Sequence, residues 1–100
     1  MSATDIVIDE KIKKLIKEPS KYNVIMLNDD HTPMEWVIEL LEIIFKYSRE
    51  GAEEITLKIH NEGSAVVGTY SYEIAEQKSI EAMTLSRNNG FSLQVKLEAE

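Results

Sequence analysis

Residues 22–35 read Tyr22-Asn23-Val24-Ile25-Met26-Leu27-Asn28-Asp29-Asp30-His31-Thr32-Pro33-Met34-Glu35. An apolar run, Tyr22 to Leu27, gives way to a polar joint and then to an apolar pattern with helical spacing that begins at Met34. The change of period predicts a strand, a turn and a helix. Thr32 is a good N-cap, Pro33 suits the first helical position, and Glu35, three residues after Thr32, completes a capping box. Ordinary turn chemistry accounts for Asp30 and in part for Asp29. It does not account for three amide or carboxylate side chains in a row, Asn28, Asp29 and Asp30, beside an apolar helix.

Downstream of the joint, Met34, Val37, Ile38, Leu41, Ile44 and Phe45 form one face of a helix expected over 33–47. Trp36, Leu40, Ile43 and Tyr47 form a second apolar row, which needs a further partner. Ser48 caps a second helix, Arg49 to about Asn61, and Gly63 is placed to end it in a left-handed conformation. Ser64 to Tyr70 reads as a second strand. Ser71 caps a third helix to about Asn89, whose face of Ala75, Ser79, Ala82, Met83 and Ser86 is small enough to lie close on a sheet. Phe91 to Leu97 alternates as a third strand. Strand, helix, helix, strand, helix, strand gives a small sheet with helices packed on it.

Upstream, residues 1–20 read as a flexible N-terminal extension and 21–100 as the core domain. A short amphipathic helix is conceivable between Asp9 and Lys17, too short to be stable alone. Glu18-Pro19-Ser20 then breaks the pattern.

The chain has 100 residues, 43% of them hydrophobic, which suits one domain with a modest core. The formal net charge of -7 disfavours nucleic acid and suits a cationic ligand or a basic surface. No cysteine is present, so disulfides, thiolate metal sites and cysteine catalysis are excluded. No run is long and apolar enough to span a bilayer, and the signal-peptide pattern is missing. An intracellular, cytoplasmic protein is expected. There is no nucleophile elbow, phosphate loop or His-x-x-x-His pair.

If the second helix folds back along the first, its end returns to the polar joint and brings His60 near Asn28 and Asp29. Met26, Met34, Val37, Thr56 and Ile59 would form an apolar cleft beneath. An apolar cleft with a few convergent polar groups is a binding site by default. Its ligand should carry a positive charge and several N–H donors beside an apolar side chain. A peptide N-terminus with a large hydrophobic first residue has that chemistry.

The run from Tyr22 to Glu35 resembles the signature of the ClpS adaptor family. Val37, Ile59-His60, Glu62-Gly63, Gly68, Glu73, Ala75-Glu76, Lys78 and the strand Leu93–Leu97 match as well. The resemblance implies an α+β fold: a small three-stranded, mainly antiparallel sheet with three helices packed on it. It implies a monomeric adaptor, not an enzyme, with no cofactor. Such adaptors bind N-degron substrates, whose first residue is Leu, Phe, Trp or Tyr. They pass them to a AAA+ unfoldase, ClpA or a related protein, that feeds ClpP. By position, Asn28, Asp29 and His60 would hold the α-amino group and Asp30 would support the turn. Met26, Thr32, Met34, Val37, Thr56, Ile59 and Leu93 would line the side-chain pocket, with Met34 as a gate. Glu73 and Lys78 would face the unfoldase.

Thr56 departs from the methionine that the family often has there, and the expectation is an altered pocket that favours aromatic residues over Leu. Two other readings compete. One is an interaction module of the same fold that regulates the unfoldase without recognising N-degrons. The other is a small metal-dependent enzyme built on Asp29, Asp30 and the histidines.

Overall fold

A computed structural model describes residues 20–100. The expected helix between Asp9 and Lys17 and the proposed extension lie outside the described residues. Six elements follow in order: β1 (Lys21–Leu27), α1 (Met34–Ile44), α2 (Arg49–Glu62), β2 (Ser64–Ser71), α3 (Tyr72–Asn88) and β3 (Val95–Ala99). The sheet order is β2-β1-β3, antiparallel throughout, with the sequence's first strand in the centre. The expected fold class holds. β1 is central because it is the most continuously apolar strand: Val24, Ile25 and Met26 are all buried. Val24 and Met26 join the core with residues of all three helices, whereas Ile25 points away from that cluster.

The third helix packs as its small-residue face requires. Ala75, Ser79, Ala82 and Ser86 are buried, and the two serine hydroxyls each donate to the carbonyl one turn back, Ser79 to Ala75 and Ser86 to Ala82, both at 2.8 Å. No polar atom is thereby left unsatisfied at the close approach.

The start of α1 differs from the capping-box expectation. Pro33 is the N-cap, and Thr32 makes no cap bond. Thr32 instead donates its hydroxyl to the Asp29 carboxylate, and Glu35 pairs with Arg49 at 2.7 Å. A hydroxyl bond to an ionised acceptor is charge-assisted and among the stronger ones a hydroxyl can make. The Pro33 carbonyl still accepts from Trp36 and Val37, so the first turn closes without the box.

α1 also ends earlier than expected, at Ile44 rather than near Tyr47. Lys46 adopts a left-handed conformation with φ 61°. The Lys78 ammonium donates to the Ile44 carbonyl at 2.8 Å and sits beside the Phe45 and Tyr70 rings. A cation on the last carbonyls of a helix is favoured by its dipole. Tyr47 turns away from the helix and donates its hydroxyl to the Val67 carbonyl at 2.7 Å. Val67 is the extra residue of a bulge in β2, since Val24 pairs with Gly68 and Ile25 with Val66. A bulge frees a carbonyl from the ladder, and Tyr47, beyond the end of α1, supplies the donor for it. Burial pushes the Tyr47 hydroxyl pKa up, so it stays protonated to do so.

β3 begins at Val95, later than the expected Phe91. Residues 91–94 are turned to side-chain contacts: Phe91 meets Trp36 edge-on at 5.0 Å, and Leu93 is buried. The alternation itself was sound, since Leu93 and Val95 are both buried.

α2 ends as read. Gly63 has φ 92°, and its N–H returns to the Ile59 carbonyl at 2.9 Å. A Cβ there would meet nothing within 4 Å. Gly63→Ala should therefore destabilise through backbone conformation alone, by about 1–2 kcal/mol. A urea titration with unchanged slope and a lowered midpoint would show this.

Candidate functional site

The site lies where β1 ends. The end is gripped from both sides: Leu27 N–H donates to the Gln94 carbonyl at 3.0 Å, and Asn28 N–H to the Gly63 carbonyl at 2.8 Å. The second bond ties the last turn of α2 to the polar joint. His60 is exposed in that last turn, three residues before Gly63, and its ring makes no hydrogen bond among the described residues. The antiparallel return expected from the sequence thus occurs.

Asp29 is the most constrained polar side chain of the joint. Thr32 and Ser92 hydroxyls both donate to its Oδ2, the latter at 2.9 Å. The Thr32 bond, joined by the Ser92 bond and the His31 backbone, holds the Asp29 carboxyl below the usual carboxylate range against the opposing effect of burial. Asp29 is therefore ionised at neutral pH. Because both hydroxyls meet one oxygen, Oδ1 receives no side-chain donor among the described residues. Asn28 donates its amide to Asp30 at 3.3 Å, which links the two outer members of the turn.

The residues of the expected pocket come from four parts of the chain. Met26 of β1, Val37 of α1, Ile59 of α2 and Leu93 before β3 are buried in one cluster. Thr32 and Thr56 are buried beside them. The Thr56 hydroxyl donates to the Ala52 carbonyl at 2.7 Å, so the helix itself satisfies it. Met34, the first residue of α1, is 38% exposed and stands at the margin. The arrangement is a fixed anion and a primary amide at the edge of an apolar cluster.

Ser92 was missed by sequence reasoning. It lies 63 residues from Asp29, and its only signal is a small polar residue inside the Phe91–Leu93 alternation. Arg49 was missed too. Its guanidinium meets Glu35 at 2.7 Å, Glu53 at 2.9 Å and Glu42 at 3.2 Å, which joins the first turn of α1 to the first turn of α2. The pairs are exposed and each adds little, yet together they fix where Glu35, the neighbour of Met34, can sit.

Of the two residues expected at an unfoldase surface, Glu73 is exposed in the first turn of α3. Lys78 is half-buried and already bonded to Ile44. Among the described residues, no group of three His, Asp or Glu side chains is placed to hold a metal ion. No described helix is long and apolar enough to cross a membrane.

The family model for the ATP-dependent Clp protease adaptor protein ClpS matches residues 17–96. This chain belongs to the ClpS family. An adaptor of the family from Treponema denticola is 48% identical over 81 residues, 81% of this chain and 80% of that one. Another, from Vibrio atlanticus, is 46% identical over 89 residues, 89% of this chain and 84% of that one. Among solved structures, Agrobacterium tumefaciens ClpS2 bound to L-phenylalaninamide superposes with a TM-score of 0.81 at 38% identity, covering 83% of this chain and all of that one. The ClpS family is one of adaptors that serve the Clp protease, so partnership with substrates and with a Clp unfoldase follows at that level.

Proposed function

We propose that this chain binds substrates through a free α-amino group and a large hydrophobic N-terminal residue, Leu, Phe, Trp or Tyr. It delivers them in the cytoplasm, as a monomer, to a ClpA-type AAA+ unfoldase for degradation by ClpP. The observation that carries the reading is the Asp29 carboxylate, kept ionised by Thr32 and Ser92 at the edge of the apolar cluster. The molecule bound by the Agrobacterium relative supports it, since phenylalaninamide pairs an α-amine with an aromatic side chain.

In this reading Asn28, Asp29 and His60 receive the amine, and Asp30 steadies Asn28. Met26, Thr32, Val37, Thr56, Ile59 and Leu93 line the side-chain pocket with Met34 at its mouth. A free α-amino group has a pKa of about 7.7–8 and is mostly charged at neutral pH. An internal peptide bond offers neither the charge nor three donors. It leaves Asp29 Oδ1 desolvated without a donor, at a cost of about 1–3 kcal/mol. Terminus selection is therefore electrostatic, while residue selection is steric, with a methylene worth roughly 1–3 kcal/mol.

The direct test is fluorescence-anisotropy binding of a Phe-initiated peptide and its N-acetylated twin. Acetylation keeps the aromatic side chain and removes the charge. The expected result is a loss of about 10- to 100-fold or more on acetylation. Equal affinity for the two peptides would overturn the reading.

Thr56 adjusts the choice among first residues. Its hydroxyl is engaged by Ala52, so the position is apolar in effect and smaller than a methionine. Thr56→Met should shift the ranking of Leu-, Phe-, Trp- and Tyr-initiated peptides toward Leu by several-fold, roughly the effect of one methylene. An unchanged ranking would remove Thr56 from the specificity argument.

Glu73 is the better placed of the two unfoldase-facing residues. Lys78 fastens α1 to α3, so a defect in Lys78→Ala must be read beside its unfolding curve.

A further inference from the structure

The outer face of α3 has no partner among the described residues. Ile80, 55% exposed, borders a concavity of ≈ 410 Å³ with Gln77, Glu81, Thr84 and Leu85, and Ile74, six residues earlier, is 47% exposed. The buried face of the helix is the opposite one, built on Ala75, Ser79, Ala82 and Ser86. The outer face is also acidic. α3 carries Glu73, Glu76 and Glu81, while its two cations are turned to protein carbonyls, Lys78 to Ile44 and Arg87 to Leu93.

The chain that precedes the described residues enters beside this helix. Lys21 pairs with Ser71, the residue before α3, and the Tyr22 ring meets Tyr72 edge-on at 5.1 Å. Residues 11–17 read Lys-Ile-Lys-Lys-Leu-Ile-Lys, with four lysines and no acid. Ile12, Leu15 and Ile16 fall on one side at helical spacing, with the lysines around them. Ile80 lies about 12 Å along α3 from Tyr72. The three residues Glu18, Pro19 and Ser20 span up to about 10 Å when extended. The chain between Leu15 and Lys21 is therefore long enough to reach Ile74 and Ile80.

We propose that residues 11–17 of this chain dock in cis on the outer face of α3, with Ile12, Leu15 and Ile16 against Ile74 and Ile80 and their lysines toward Glu73 and Glu81. The inference is independent of the N-degron reading, because the Asn28–Asp30 joint is at the other end of β1.

The lysines supply the assay. Tryptic cleavage after Lys13, Lys14 and Lys17 should be at least about tenfold slower in the full chain than in a free peptide of residues 1–21, the ratio for a segment docked about nine-tenths of the time. Ile80→Glu and Glu81→Lys, both at exposed positions, should each remove most of that protection while thermal unfolding is unchanged. Because the chain has no cysteine, a nitroxide on Lys14→Cys can locate the segment. It should broaden the amide signals of Gln77–Leu85 and spare those of Asn28–Asp30. Cleavage as fast as in the free peptide, protection indifferent to Ile80→Glu, or broadening centred elsewhere would each overturn the proposal. Protection that rises with protein concentration would assign the segment to a second copy and overturn docking in cis.

Discussion

Asp29→Ala should lower affinity for a Phe-initiated peptide by at least about 30-fold, the cost expected when one partner of a desolvated charge pair is truncated. In the unliganded protein the carboxylate is oriented by Thr32 and Ser92, so ordering of that group precedes binding. Orientation before binding leaves less entropy to lose on complex formation. The variant also frees two hydroxyls, and the comparison with Asp29→Asn separates the effects. The asparagine keeps the shape and an acceptor for both hydroxyls but not the charge. If charge carries recognition, Asn and Ala lose similarly. The wild-type advantage should persist at pH 5, because the lowered Asp29 pKa keeps the carboxylate ionised there. Stability linked to the group has the same sign: it is present above the unfolded carboxyl pKa and is lost as pH falls through the folded one. Anisotropy titrations of the three proteins at pH 7 and pH 5 check this. Wild-type affinity in Asp29→Ala would remove the carboxylate from the mechanism.

The largest effect on folding is expected at Leu41. It is fully buried on α1 within the cluster that joins the three helices to the sheet. Leu41→Ala should destabilise by about 2–5 kcal/mol through lost burial and the cavity left behind. Domains of this kind hold only about 5–15 kcal/mol in total, so the variant sits close to unfolding at physiological temperature. Leu41→Met conserves volume and should cost less than about 1.5 kcal/mol. Chemical denaturation of both variants gives the contrast. Equal losses would mean that the site is governed by shape strain rather than by burial. Leu41 lies beside Val37 and Leu40 on the helix that carries Met34, so the Ala variant should also weaken peptide binding before it unfolds.

Several elements were legible in the sequence because their causes are local. The Ser48 cap bonds Gly51, the Gly63 stop and the small-residue face of α3 each rest on residues a few positions apart. The burial of Val24, Ile25 and Met26 in β1 follows from an apolar run without polar alternation. Asn28, Asp29 and Asp30 were legible as a site because turn chemistry alone did not explain them. The local misreadings share a cause. Thr32, Glu35 and Tyr47 each met a partner that the helix-start and helix-end patterns did not include: the Asp29 carboxylate, the Arg49 guanidinium and the Val67 carbonyl. Phe91 likewise left the strand for Trp36.

The amino-acid order by itself determined which segments are helix or strand, which faces are apolar, and that an acidic turn stands between the first strand and first helix. Periodicity, caps and turn residues act over a few positions and are written in the chain. Only the tertiary structure decided that Ser92 reaches Asp29 across 63 residues and that Lys78 closes the end of α1. Those pairings depend on which charged or freed acceptors packing leaves within a hydrogen bond's reach, and that is a property of distance in space rather than of spacing in sequence.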